Sequence, residues 1–469
     1  MSNTLQVASD AAIHSSVHNV GTGVTITFVV ILVLMIVSLA LEEKIHAKKS
    51  LIVAIFAAIS LLLGAFFELL PFGSISLPNG HEINMPVFIP AVDWGVIAII
   101  LGSSIFVDVT SRSGLFTWVA IKLTKASAGD PLKLLWYYGI MTVIFSAVLN
   151  NVTAMIIVGS LTAVSLNKLN RSEKLLGFLL VQGLLTNIGG LLTLISSVPN
   201  IIVGNTAGIS FVAFFLKASP YVLVATVITL WMGAKLFAIQ SLASEEEKNQ
   251  AKELVASFDE RDGIESKRFF QFAGVMLIMF ILTIATTSIL PLVKDLGMGF
   301  VALGFATVMM IRYKSEVDQF YKAVDWDLIT FFCALFVVIN VMEHAQVLDL
   351  IGKGITALIG TEETAFGTSI LLVLSAIFSS VTDNIPLAAM LAKILDTAGT
   401  ASESSLWWSV VFGANLGGNL TPIGSASTLV AVTIMHKYKL SLSFAGFVKK
   451  ALPFAVLHII LATIYVLIA

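Results

Sequence analysis

Long apolar runs decide what this chain can fold into. Residues 23–41, 51–69, 92–107, 177–195, 220–240, 270–290 and 452–468 are mostly apolar. About 20 such residues make one helical crossing of a bilayer. The chain is 57% hydrophobic and only 12% charged, whereas soluble domains carry about 25% charged residues, so a water-facing surface cannot be built from it. Other apolar stretches are interrupted by polar residues, and roughly ten or eleven crossings plus two re-entrant hairpins are expected. Strands are not expected, because a membrane barrel reads as short alternating segments. The first run, Val24–Leu41, is too long for a signal-peptide core and reads as a retained span behind a polar N-terminus, Met1 to Gly21. The expected class is therefore an all-α polytopic membrane protein.

Within this apolar background one set of polar residues occurs twice. Val92-Asp93-Trp94 opens a run ending near Asp108, and Val324-Asp325-Trp326 opens another ending near Asn340. Phe145-Ser146-Ala147-Val148-Leu149-Asn150-Asn151 matches Phe378-Ser379-Ser380-Val381-Thr382-Asp383-Asn384. Asn187-Ile188-Gly189-Gly190-Leu191-Leu192-Thr193 matches Asn415-Leu416-Gly417-Gly418-Asn419-Leu420-Thr421. The shared residues are mainly Asn, Asp, Gly, Ser and Trp, in one order and at nearly constant spacing, which apolar low complexity does not produce. The organisation that follows has residues 1–91 as an N-terminal region with scaffold helices. Repeat 1 covers 92–240, with a hairpin near 132–168 and a broken helix near 177–215. A cytoplasmic linker (241–267) and scaffold helices (268–323) come next. Repeat 2 covers 324–449, with a hairpin near 368–395 and a broken helix near 406–436, and 450–469 is a C-terminal helix.

Charge placement orients the halves. Lys122, Lys125 and Lys133 precede the first hairpin and Lys168, Arg171 and Lys174 follow it, so these flanks should be cytoplasmic. The second hairpin's flanks, 360–367 and 396–405, carry Glu362, Glu363, Asp396 and Glu403 and no Lys or Arg, with Lys353 and Lys393 just beyond. They should lie outside, which makes the repeats inverted. Residues 70–91, with Pro71, Pro78, Asn79-Gly80 and Pro86, read as an outside loop. The linker, with Glu245-Glu246-Glu247, Arg261 and Lys267, reads as a solvated segment with room for a surface helix.

Polar residues inside apolar segments are costly and default to function or helix packing. Paired interruptions in two halves are the pointer to a transport site. Asn150-Asn151-Val152-Thr153 and Thr382-Asp383-Asn384-Ile385-Pro386 can each end one helix and cap the next. The tips of such hairpins offer oxygens to a hard cation and helix N-termini to an anion. Gly189-Gly190 with Ser196, Ser197 and Asn200, and the stretch Gly413–Thr428 with Asn415, Asn419, Thr421, Ser425 and Thr428, read as unwound points facing the hairpin tips. Small-residue helix packing is the competing account of the glycines. Ser379 falls in the matched hairpin motif. Asp383 is the candidate proton switch, since a carboxylate ligates a cation when ionised and carries a proton when neutral, and the two states compete. Asp108, four residues before Arg112, suits a local ion pair. Glu343-His344 suits either a proton relay or an interface position, and Asp93, Asp325 and Asp327 suit helix starts.

Other classes find little support. A net charge of −2 without a basic stripe offers nothing to nucleic acid. The lone Cys333 makes neither an intrachain disulfide nor a multi-thiol metal site. No GxxxxGK[ST] loop and no HExxH motif is present, which argues against an ATP-driven pump and against an enzyme. No cofactor is expected beyond sodium ions or protons as coupling ions. Sequence alone leaves a passive channel open.

At these motifs the chain resembles the ion transporter superfamily over about residues 50–465. It is most similar to the ArsB/NhaD branch of arsenite permeases, NhaD-type sodium/proton antiporters and the melanosomal P protein. Gly413–Thr428 resembles that branch's GANLGGN-TPIG element, Phe378–Ala388 its S-x-x-x-DN-x-P pattern, and Leu194–Gly204 the Pro-Asn element of the related divalent-anion:sodium symporters. The resemblance implies a dimerising scaffold and a transport domain that moves like an elevator. It also implies sodium ligands by position at Asn150, Asn151 and Asn384, with Asp383 beside them. Asp383-Asn384 fits the Asp-Asn pair of NhaD-like antiporters, while Asn150-Asn151 departs from it. The leading expectation is a sodium/proton antiporter, a homodimer embedded in lipid in a bacterial inner membrane. The alternatives are a sodium- or proton-coupled carrier of a carboxylate or inorganic oxyanion, and arsenite or antimonite efflux.

Overall fold

The computed structural model describes residues 20–70, 74–76, 81–360, 363–440 and 442–469. The polar N-terminus before Val20, and Pro71, Pro78, Asn79, Gly80 and Glu362, lie outside the described residues. The helices of the first half are α1 (Thr22–Ala40), α2 (Glu42–Ile45), α3 (Lys49–Phe66), α4 (Trp94–Arg112), α5 (Leu115–Ala126), α6 (Pro131–Val148), α7 (Asn151–Lys168), α8 (Leu175–Gly189), α9 (Val198–Thr206) and α10 (Phe211–Leu236). After a linker helix, α11 (Glu245–Ala256), come α12 (Lys267–Thr286), α13 (Val293–Arg312), α14 (Val317–Ala323), α15 (Trp326–His344), α16 (Val347–Ile359), α17 (Ala365–Val381), α18 (Asn384–Thr397), α19 (Ser405–Gly417), α20 (Ala426–Lys437) and α21 (Phe444–Ile468). The 70–91 region departs from the strand-free expectation. It holds a small antiparallel pair, β1 (Ser74–Ser76) and β2 (Glu82–Asn84), in register Ser74 to Asn84.

Among the described residues nine helices are long and apolar enough to cross a membrane: α1, α3, α4, α6, α10, α12, α13, α15 and α21. Of these, α6 is the outgoing arm of the first hairpin. The broken pairs α8/α9 and α19/α20 supply two more crossings. At about 1.5 Å per residue neither member of a pair spans the roughly 30 Å hydrocarbon core alone. Each half then has five crossings, and five is odd. The charged linker keeps the end of α10 and the start of α12 on one side, so the halves enter the bilayer in opposite senses.

The chain divides into two compact units. The first takes residues 1–93 and 330–353. In it Phe28 meets Phe67 edge-on at 6.4 Å, and α3 approaches α15 where Gly64 faces Val341. The second takes residues 94–329 and 354–469 and holds both hairpins and both broken helices. Its packing is reciprocal. The return arm of each hairpin packs on the second half of the other repeat's broken helix, α7 on α20 and α18 on α9. In parallel, α6 packs on α8 as α17 packs on α19, and α10 on α8 as α21 on α19. A two-fold relation between the repeats is the arrangement that produces this exchange.

The correspondence includes the last helix. Ser210 caps α10 and Pro220 lies inside it; Ser443 caps α21 and Pro453 lies inside it, at one constant spacing. A boundary at 449/450 therefore cuts a continuous helix, and α21 is the repeat mate of α10.

Two glycines show why the hairpins sit so close. A Cβ on Gly189 would come within 2.7 Å of the Val143 carbonyl oxygen, and one on Gly417 within 2.2 Å of the Ala376 oxygen. These mated positions let a hairpin arm lie backbone-to-backbone on its broken helix, so small-residue packing operates at the breaks together with unwinding.

The linker is docked rather than wholly solvated. Ala251, Val255 and Phe258 are buried. Glu260 pairs with Lys122 at 2.5 Å and Lys125 at 3.5 Å, and Arg171 with Glu247 at 3.7 Å. The hydrogen bond from Lys122 holds the Glu260 carboxyl below the usual carboxylate range. Asp130 caps α6 and also accepts the Leu242 amide at 3.0 Å.

Candidate functional site

Each hairpin turns at a polar cap. At Leu149 the backbone leaves the helix, and the Asn150 side chain accepts the Thr153 amide at 2.8 Å to start α7. At Thr382 the same happens, and Asp383 accepts the Ile385 amide at 3.0 Å to start α18. Pro386 sits in that first turn, where a missing N–H costs nothing.

Each broken helix is tied to its hairpin by two hydrogen bonds that recur in both repeats. Ser146 donates to the Thr186 carbonyl and Ser379 to the Ala414 carbonyl, both at 2.6 Å. Thr193 donates to the Ala147 carbonyl and Thr421 to the Ser380 carbonyl, both at 2.5 Å. In the first break, Ser196 and Asn200 both donate to the Gly190 carbonyl at 2.6 Å. Thr428 Oγ1 bonds the Ser425 carbonyl at 2.8 Å in the second.

The two breaks meet, and they meet through asparagines. Asn187 Nδ2 donates to Ser425 Oγ at 2.9 Å, and Ser197 Oγ donates to Asn415 Oδ1 at 2.7 Å. Each repeat's asparagine thus reaches the serine that precedes the other repeat's second half-helix. Asn415 Nδ2 donates to Asn200 Oδ1 at 2.9 Å, and Ser427 Oγ to Asn187 Oδ1 at 3.0 Å. Asn187 also donates to Asn419 Oδ1 at 2.8 Å and accepts from Asn151 Nδ2 at 3.4 Å. All four hydrogen-bonding sites of its amide are therefore used. Asn187, Asn200, Asn415, Asn419 and Thr428 are all at most 1% exposed.

The structure brings these residues to one junction in two hydrogen-bonded sets: Asn151, Asn419 and Ser425 on Asn187, and Ser197 and Asn200 on Asn415. Ser379, Ser196, Thr421 and Thr428 fasten its backbone, and Asn150 and Asp383 cap the tips. Thr153 and Asn384 are half-buried at the helix starts beside them. Among the remaining acids, Asp108 forms its pair with Arg112 at 2.9 Å, Arg112 also bonds Gln319, and Asp325 caps the Leu328 amide. Glu343 and His344 belong to the first unit, where His344 Nδ1 bonds the Asn340 carbonyl of its own helix.

Five residues escaped the candidate set: Thr193, the mate of Thr421, Ser427 beside Ser425, and Asn187, Ser146 and His458. Asn187 leads the repeated motif itself, and Ser146 is the mate of Ser379. His458, 0% exposed, lies on α21 with Nδ1 at 3.4 Å from Asn419 Nδ2 and Nε2 at 2.7 Å from Thr229 Oγ1. A lone histidine in the apolar run 452–468 is an intramembrane ionisable residue, and that was its signal.

Comparison with known families matches residues 69–413, most of the chain, to CitMHS, a citrate transporter family. The chain belongs to the citrate transporter family. It is accordingly an integral membrane transporter and not an enzyme. Members and relatives of this kind include a 46 kDa membrane protein of Mycobacterium leprae, 29% identical over 379 residues, covering 80% of this chain and 86% of that protein. The human P protein is 24% identical over 468 residues, covering 83% of this chain and 55% of that protein. Among solved structures, the Alcanivorax borkumensis YdaH transporter, whose crystal structure shows an unusual topology, superposes with a TM-score of 0.56 at 14% identity. That superposition covers 90% of this chain and 98% of YdaH, and it establishes a shared fold.

Proposed function

We propose that this member of the citrate transporter family is a secondary active carrier of small carboxylate anions. In this reading it is coupled to sodium ions or protons and works as a homodimer in a bacterial inner membrane. One observation carries the reading: the junction of the two breaks is lined by neutral amides and hydroxyls, and helix N-termini open onto it. Across 149–153, 187–200, 380–386 and 413–428, Asp383 is the one ionisable side chain. A helix N-terminus favours an anion. At α9 that end has no side-chain cap, because Ser197 gives its hydroxyl to Asn415 instead. With no arginine or lysine in these segments, the anion's charge is offset by a co-bound cation. Asn151, Asp383 and Asn384 are the oxygen ligands proposed for it. The hairpins and broken helices then travel together as an elevator.

Sodium/proton antiport is the second reading, and Asp383 at a hairpin tip favours it as the switch. One set of proteoliposomes separates the two. Citrate and shorter carboxylates are offered under an imposed sodium or proton gradient while an internal dye reports pH. Accumulation of a carboxylate above its outside concentration supports the carrier. A sodium- or lithium-driven pH change without anion uptake, lost in Asp383→Asn, replaces it with the antiporter. Equilibration without accumulation indicates a channel and overturns both.

A further inference from the structure

The side chains around His458 form a chain of hydrogen bonds with a direction. Asn187 Nδ2 donates to Asn419 Oδ1 at 2.8 Å, and Asn419 Nδ2 points at His458 Nδ1 at 3.4 Å. His458 Nε2 faces Thr229 Oγ1 at 2.7 Å, and Thr229 donates to the Ala225 carbonyl at 2.6 Å. Every donor meets an acceptor if His458 is neutral with its proton on Nε2, a tautomer assigned here from the network. A proton on Nδ1 would set two donors face to face. Relieving that would turn the Asn419 amide over. Its nitrogen would then face the Asn187 nitrogen, and the disturbance would reach Ser425 and Ser427 in the second break.

This chain has no counterpart across the two-fold relation. The mate of Asn419 is Leu191, and the mates of His458 and Thr229 on the paired helices are Ala225 and Ala462. The architecture therefore does not require it. The groups that bond His458 are Thr229 and the Tyr221 phenol from α10 and Asn419 from the second break. Tyr221 donates to the His458 carbonyl at 3.1 Å. Among the described residues no carboxylate or ammonium is hydrogen-bonded or paired to it.

We infer that His458 is a positioning residue: its ring sets the amide orientations of Asn419 and Asn187 where the two breaks cross. The inference rests on the proposed function only in taking those breaks as the transport site. Two measurements test it. In protein labelled with ¹⁵N-histidine, the ring signals missing from His458→Gln should show a bare Nδ1 and a protonated Nε2 at neutral pH. An Nδ1–H tautomer or an imidazolium there overturns the inference, and this readout needs no cargo. In uptake, glutamine can accept from Asn419 and donate to Thr229, so His458→Gln should stay within about threefold of the unaltered chain. His458→Leu strands buried polar groups and should fall by about tenfold or more, with thermal melts confirming that both variants fold. Full activity in His458→Leu, or equal loss in both folded variants, overturns the inference. If the unaltered chain carries no carboxylate, the proposed function fails, and the nitrogen spectrum alone decides the role of His458.

Discussion

The two helix breaks share a backbone and differ in what hangs from it. Ser146 and Ser379, Thr193 and Thr421, and Asn187 and Asn415 do the same work in each repeat, at nearly the same distances. Against this, Asn150 stands where the second repeat has Asp383, and Leu191 stands where it has Asn419. The matched serines and threonines tie each hairpin's backbone to its break, and the matched asparagines join the two breaks. The unmatched ones differ in chemistry, since Asp383 caps its helix with a carboxylate where Asn150 uses an amide, and Asn419 adds an amide where the first break has an alkyl group. Substitution at matched positions should therefore damage folding in parallel, while substitution at unmatched positions should change transport and leave the fold in place.

The glycine pair should give the largest effect. Gly417→Ala forces a methyl against the Ala376 carbonyl and should lower stability by about 2–3 kcal/mol, within the range for overpacked cores. Gly189→Ala should cost less, because its clash with the Val143 oxygen begins at 2.7 Å rather than 2.2 Å. Thermal melts in detergent check the order. Equal tolerance of both would remove close backbone approach as the reason for these glycines.

Next come the crossing asparagines. Asn187→Leu strands the Asn419 oxygen and takes one partner each from Asn151, Ser425 and Ser427, and a buried polar group left unpaired costs about 1–3 kcal/mol. Asn415→Leu strands Ser197 and Asn200 and should cost less. If Asn415→Leu melts first, the network is centred on the other break and the comparison is inverted.

The repeat was legible in the sequence because its matched residues are polar, and a polar residue in an apolar run has few reasons to recur. The hairpin caps were legible for the same reason, since Asn150 and Asp383 are strong helix starters. The α10–α21 correspondence is also written in the sequence, though it went unread there. Its identities, Ser210, Phe211, Phe214, Lys217, Ala218 and Pro220 with Ser443, Phe444, Phe447, Lys450, Ala451 and Pro453, are confined to the first turns, and beyond them the outward faces, such as Leu223 and Ile464, need only be apolar. The bond from His458 to Thr229 was hidden because it joins side chains on two helices far apart in the chain, and no local spacing records such a contact. The small strand pair lay in a segment whose prolines signal only a turn.

The hairpin tips offer a sharper contrast with a smaller effect on stability. Asp383→Asn makes the second tip resemble the first, and asparagine caps as well as aspartate. The change in stability should be within a few tenths of a kcal/mol, while pH-coupled transport is lost. Full pH-coupled sodium transport in that variant would end the role of Asp383 as the switch. Asn150→Asp, which makes the first tip resemble the second, should fold equally well. If it transports normally as well, the difference between the tips carries no function.

The smallest effect concerns how each hairpin is anchored at its start. Asp130 caps its own helix and holds the linker, whereas Thr364 caps α17 and leaves Glu363 to accept from Ser404 and Ser405 at the start of α19. Partial burial pushes the Glu363 carboxyl up, but the Ser404 and Ser405 hydrogen bonds outweigh it and hold it below the ordinary glutamate range. A lowered folded pKa means that the ionised form is the stabilising one. Its contribution is complete above the unfolded value of about 4.3 and fades as the pH falls through the folded value. Glu363→Gln should therefore lower the melting temperature slightly at neutral pH, and the gap from the unaltered chain should close in acid. A gap that persists unchanged at low pH would mean that Glu363 anchors the second hairpin by shape rather than by charge.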